Sequence, residues 1–177
     1  VEGLETTFYM ALITGAVLVG TREIEKDRTH TISTLLFSIA VLTRPEAPLL
    51  FVLFHIAAWY RCPEPRTRIR RSLIAGFILG VVLLLLTLWR IQTYGAPLPN
   101  TFYAKTGGFA LPRGVRYIWA HMGDHILLWS LVSLRLIRRN WTPRSRIFVL
   151  ICAGQLLYIL IIGGDFKPTG RFILPIL

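Results

Sequence analysis

Long apolar runs separated by short, strongly basic segments dominate the pattern along this chain. Ser72–Trp89 is 18 residues without a formal charge, and Ile147–Ile162 has Gln155 as its one strongly polar member. As a helix the first run covers about 27 Å, close to a hydrocarbon core of about 30 Å. A third run, Leu4–Gly20, opens near Glu5 and is apolar from Ala11 onward. Thr31–Tyr60 is also apolar but is interrupted at Thr43–Pro48 (TRPEAP). Pro45 and Pro48 favour a break over a continuous helix, and each half is short for an independent crossing. The pattern therefore predicts two short helices meeting at Arg44–Glu46. In Val115–Ile137 the first half (VRYIWAHMGDH) is amphipathic and aromatic, suited to lie in the membrane interface before the chain turns inward. The expected fold is all-α, a polytopic transmembrane helix bundle of about five to six spans that includes the broken pair. Residues 1–177 are expected to form a single, partial transmembrane domain. The start at Val1 and the apolar run Phe172–Leu177 suggest a longer protein on both sides.

Composition agrees with the pattern. Hydrophobic residues make up 54% of the chain, charged residues 16%, and mean hydropathy is +0.57. A soluble domain would carry about a quarter charged residues. The net charge of +11 would suit nucleic acid, but its distribution argues against that partner. Arg22, Lys26 and Arg28 fall in a first loop, Thr21–Thr29. Arg61, Arg66, Arg68, Arg70 and Arg71 fall in a second. Arg135, Arg138, Arg139, Arg144 and Arg146 fall in or beside a third. Alternate loops thus hold most of the 20 Lys and Arg residues, the pattern of cytoplasmic loops facing anionic lipid. Cys62 and Cys152 fall at different depths, so no disulfide joins them in this reading.

Three polar segments carry candidate chemistry. In Gly163–Phe172 (GGDFKPTGRF), the two glycines end a helix and place Asp165 at the membrane surface beside Lys167 and Arg171. The set reads either as a phosphate site with Arg171 as a forked donor or as a structural Asp165–Arg171 pair in a helix connection. In Tyr94–Lys105 (YGAPLPNTFYAK), Asn100 and Thr101 can cap a helix starting near Phe102. Its first amides and Lys105 would meet an anion, with Phe102 and Tyr103 against a sugar ring; an aromatic anchor with a snorkelling lysine is the alternative. Arg44 and Glu46 lie within the apolar Thr31–Tyr60 region, where charges are costly and are paired or functional. His121, Asp124 and His125 share a helix face, but packing outweighs a metal there. His55 reads as an ordinary helix residue and His30 as a loop residue.

The order GLET (Gly3–Thr6), LTRPEA (Leu42–Ala47), YGAPLPNTFYAK (Tyr94–Lys105) and GGDFKPTGRFILP (Gly163–Pro175) resembles the polytopic GT-C glycosyltransferases. Within that class it is most similar to the terminal arabinofuranosyltransferase-like proteins of bacterial cell envelopes. The resemblance implies a multi-pass enzyme of the bacterial inner (plasma) membrane with its active face extracytoplasmic. It would transfer a sugar from a polyprenyl-phosphate donor to a glycan or lipid acceptor, among membrane lipids and without nucleic acid. It assigns no particular cofactor and is compatible with a divalent cation. The implied donor-binding residues are Arg44, Glu46, Asn100, Tyr103, Lys105, Asp165, Lys167 and Arg171. Lys105, Arg171 and Arg44 would neutralise the lipid phosphate, Asp165 and Glu46 would orient them or hold sugar hydroxyls, and Asn100 and Tyr103 would bind sugar or acceptor edges. The general base is expected upstream of Val1. Where the family motif has Met-Pro or Met-His after GGDF, this chain has Lys167-Pro168, a departure that bears on the acceptor. The competing class is a secondary transporter or lipid flippase, which also uses broken helices but needs its charges at the midplane.

Overall fold

A computed structural model describes residues 2–61, 64–97, 111–124, 126, 130 and 142–163. Every element among them is helical: α1 (Glu2–Glu25), α2 (Thr31–Thr43), α3 (Ala47–Trp59), α4 (Pro65–Tyr94), α5 (Leu111–Asp124) and α6 (Pro143–Ile162). Three of these, α1, α4 and α6, are long and apolar enough to cross a membrane. The chain divides into two compact units, residues 1–102 and 103–177.

In the first unit one face of α1 organises the bundle. Thr6, Tyr9, Ile13, Ala16, Gly20 and Glu23 recur every three or four residues and are all buried, the spacing of a single helix face. Leu4, Phe8 and Leu18 point outward. α2 packs against this face and against α4, and α3 folds back along it. Gly20 is needed for close approach, because a Cβ there would meet the Phe54 ring at 2.2 Å. Phe37 of α2 meets Phe51 and Phe54 of α3, with ring centroids 5.9 and 5.5 Å apart, and fills the hairpin between them.

α1 runs past the loop start expected at Thr21, because Thr21–Glu25 contains no helix breaker. It ends in a Schellman motif: Arg28 N–H donates to the Glu23 carbonyl and Asp27 N–H to that of Ile24, with Asp27 at φ 50°. The break between α2 and α3 falls where expected. Pro45 forces Arg44 into extended backbone (φ −144°, ψ 138°), and Pro48 occupies the first turn of α3.

α4 begins at Glu64, whose carboxylate accepts from Thr67 N–H at 2.9 Å, followed by Pro65. The Thr67 hydroxyl, which also donates to this carboxylate, and then the Thr67 N–H hold the Glu64 carboxyl below its ordinary pKa. The helix spans about 45 Å, yet only Ala75 and Leu79, on the side toward α2, are buried. Most of its apolar surface faces outward, as lipid requires and water penalises. Aromatic residues sit near both ends. Arg68 lies over Trp59 at 5.4 Å, and Trp89 packs on Tyr94 at 5.6 Å. From Arg68 to Trp89 is about 31 Å of helix, near the spacing of the two membrane interfaces.

The second unit is built on α5 against α6. Gly114, Tyr117 and His121 form the inner face of α5, and Tyr117 packs with Ile159, Leu156 and Cys152. A Cβ on Gly114 would lie 2.7 Å from the Leu160 Cα, so the two backbones nearly touch. Thr142 caps α6 by accepting from Ser145 N–H, and Gly163 ends it at φ 87°, a conformation glycine adopts without penalty.

Candidate functional site

The turn between α2 and α3 brings Arg44 and Glu46 together beside the first turns of α1. Because Pro45 fixes the backbone of Arg44, its side chain leaves α2 toward α1 and not toward solvent. Arg44 Nη1 donates to Glu46 Oε1 at 3.2 Å, and Nη2 donates to Thr6 Oγ1 at 2.7 Å. The guanidinium also lies 5.3 Å from the Tyr9 ring centroid, a favourable cation–π placement. Arg44 and Glu46 are 5% and 2% exposed. A buried ion pair persists only with further hydrogen bonds and good geometry, and Thr6 and Tyr9 contribute to both. The result is a fixed, charge-balanced ion pair joining Thr6 of Gly3–Thr6 to Leu42–Ala47. Glu46 spends its carboxylate on Arg44 and makes no cap to α3.

A second polar cluster lies at the opposite end of α1. Glu23 is buried and reaches α2, where Oε1 accepts from Ile32 N–H at 3.0 Å and Oε2 from the Ser33 hydroxyl at 2.6 Å. α2 has no side-chain cap of its own at His30, so Glu23 serves as one from another helix. His30 is buried beside Phe54 and His55, their ring centroids 6.3 and 6.0 Å from its own. Its Nδ1 has no hydrogen-bond partner among the described residues. Burial, then the Arg71 charge, lowers its pKa to about 4, against a smaller opposing effect of Asp27. Arg71 Nη1 pairs with Asp27 Oδ1 at 2.9 Å. That pair sets the first and second basic loops at the same end, about 26 Å along α1 from Thr6.

No family model, curated protein or solved structure matches this chain. The site is therefore read from its own geometry. Of the residues singled out in the sequence, Arg44 and Glu46 meet as described; Asn100, Tyr103, Lys105, Asp165, Lys167 and Arg171 lie outside the described residues. His121 is buried with Nδ1 2.8 Å from the Tyr117 carbonyl, and no group of ligands able to hold a metal occurs among the described residues. Sequence reasoning gave Thr6 no role beyond its place in GLET, missed Tyr9, and did not bring Glu23, His30 and His55 together. No signal pointed to the cluster, because Thr29 and Thr31 beside His30 are themselves ordinary capping residues.

Proposed function

We propose that this chain is part of a membrane glycosyltransferase that moves a sugar from a polyprenyl-phosphate donor to a cell-envelope acceptor at the outer face of the plasma membrane. The observation that supports it is the meeting of two motif elements, Gly3–Thr6 and Leu42–Ala47, through Arg44. That contact sets a charged, ordered structure at the end of the bundle away from the basic loops. Charges at a bilayer face suit chemistry on a lipid-linked substrate there; a transporter would carry them at the midplane. Arg44 acts as a positioning residue, since Glu46 already balances its charge. Lys105 and Arg171 are the cations that would neutralise the departing lipid phosphate, an electrostatic contribution to the transition state. Asn100 and Tyr103 would bind sugar or acceptor edges, and Asp165 would orient the cations or hold sugar hydroxyls. The reading assigns no general base among residues 1–177.

The test is sugar transfer from a radiolabelled polyprenyl-phosphate donor in membranes holding the full-length protein. Lys105→Ala and Arg171→Ala should each lower transfer at least about 100-fold with insertion unchanged. Arg44→Lys, which keeps charge but loses the fork, should reduce it partially. Full transfer in both alanine variants would overturn the assignment.

A further inference from the structure

The arginines that open α4 have different surroundings. Arg68 stacks on Trp59 and Arg71 pairs with Asp27. Arg66 and Arg70 are exposed, one turn apart on one face, and make no ion pair among the described residues. The carboxylate at this end of α4, the N-cap Glu64, is taken up by Thr67 and forms no salt bridge with either of them. They line a shallow groove with Ile69, Leu73 and Ile74. Its apolar floor continues down the same face through Phe77, and Leu73 and Phe77 are 68% and 73% exposed. Two forked cations thus stand directly above a bare apolar strip, at the level of the Trp59 ring.

We propose that this face of α4 binds one anionic phospholipid, its phosphate held by Arg66 and Arg70 and one acyl chain laid along Ile69, Leu73 and Phe77. Charge complementarity selects the occupant. An arginine pair matches a phosphate oxygen pair, and a lipid alone joins that anion to an apolar chain running toward the bilayer centre. A partner helix would match both cations only by placing acidic side chains opposite Arg66 and Arg70, and no described helix brings one there. The proposal rests on the membrane character of α4 and is independent of the glycosyltransferase reading.

Native mass spectrometry of the full-length protein in detergent, titrated with dioleoylphosphatidylglycerol, tests it. The wild type should retain a bound lipid. Arg66→Gln/Arg70→Gln should weaken that binding about tenfold or more, each arginine near a membrane surface contributing on the order of a few-fold to tenfold. Arg22→Gln/Lys26→Gln removes the same charge from the end of α1 and should change binding by less than about threefold. Leu73→Gln, which keeps both cations, should also weaken it. Equal losses in the two double variants would reduce the effect to general charge and overturn the site. Displacement by soluble glycerol phosphate, or equal retention of dioleoylphosphatidylcholine, would overturn the lipid assignment. All three sites are at the surface, so melting temperatures should match the wild type.

Discussion

Arg44 and Glu46 show how two residues can be legible as a pair and still conceal their main contact. Two charges flanking a proline inside an apolar region suggest mutual pairing, and the structure has it. Their contact with Thr6 and Tyr9 was not legible, because both lie far along the chain: Thr6 closes the GLET motif but carried no role, and Tyr9 no unusual pattern. Removing one partner leaves a buried uncompensated charge, so Glu46→Gln or Arg44→Ala should cost about 3–5 kcal/mol of stability. Arg44→Met/Glu46→Leu should cost less than either single change, since it removes both desolvation penalties. Thermal unfolding in detergent would decide; a double variant worse than both singles would contradict the account. His30 gives a pH dependence of known sign. Its folded pKa, about 4, lies below the ordinary 6.5, so the unfolded chain takes up a proton that the folded one refuses. Stability should be full above pH 6.5 and fall as pH drops toward 5, before the carboxylates titrate. His30→Gln should make that fall shallower, and an unchanged slope would remove His30 as a source of it.

At the scale of the element, the broken Thr31–Tyr60 region was readable because Pro acts through local sterics alone. The three long helices were readable from apolar run length. The end of α1 was not, since the stop is an aspartate in left-handed conformation where the usual signal is glycine. Nor does a sequence reveal which glycines are contacts. Gly114 and Gly20 are, the first against backbone and the second against a ring. A backbone cannot move aside as a ring can, so Gly114→Ala should destabilise α5 on α6 by about 1–3 kcal/mol. Gly76→Ala, with open space around it, should be neutral or slightly stabilising. Parallel melts of the two variants check the contrast; equal stability would mean that α5 and α6 do not approach so closely.

For the whole molecule, basic-loop alternation anticipated that Thr21–Thr29 and Arg61–Arg71 share one end, and the Arg71–Asp27 pair holds them there. Composition spoke for the membrane. The remaining candidate residues depend on segments far apart in the chain, and no local pattern states which of them converge. In a background with Cys62→Ser and Cys152→Ser, single cysteines at Lys26 and Arg66 should react with a membrane-impermeant maleimide only after permeabilisation. A cysteine at Ala96, beyond the far end of α4, should react in intact cells. The opposite pattern would invert the orientation.

The inner face of α1 ends in Thr6 on one side and Glu23 on the other, and each is fastened to the α2–α3 hairpin. α1 is therefore a gauge rod whose length and rotational phase are both read by its neighbours. One residue added between Tyr9 and Gly20 would turn the far end by about 100° and lengthen it by about 1.5 Å. Whichever anchor kept its place, the other would be lost. Sequence drift on the outer face of α1 costs little, while a single insertion unfastens one end of the hairpin.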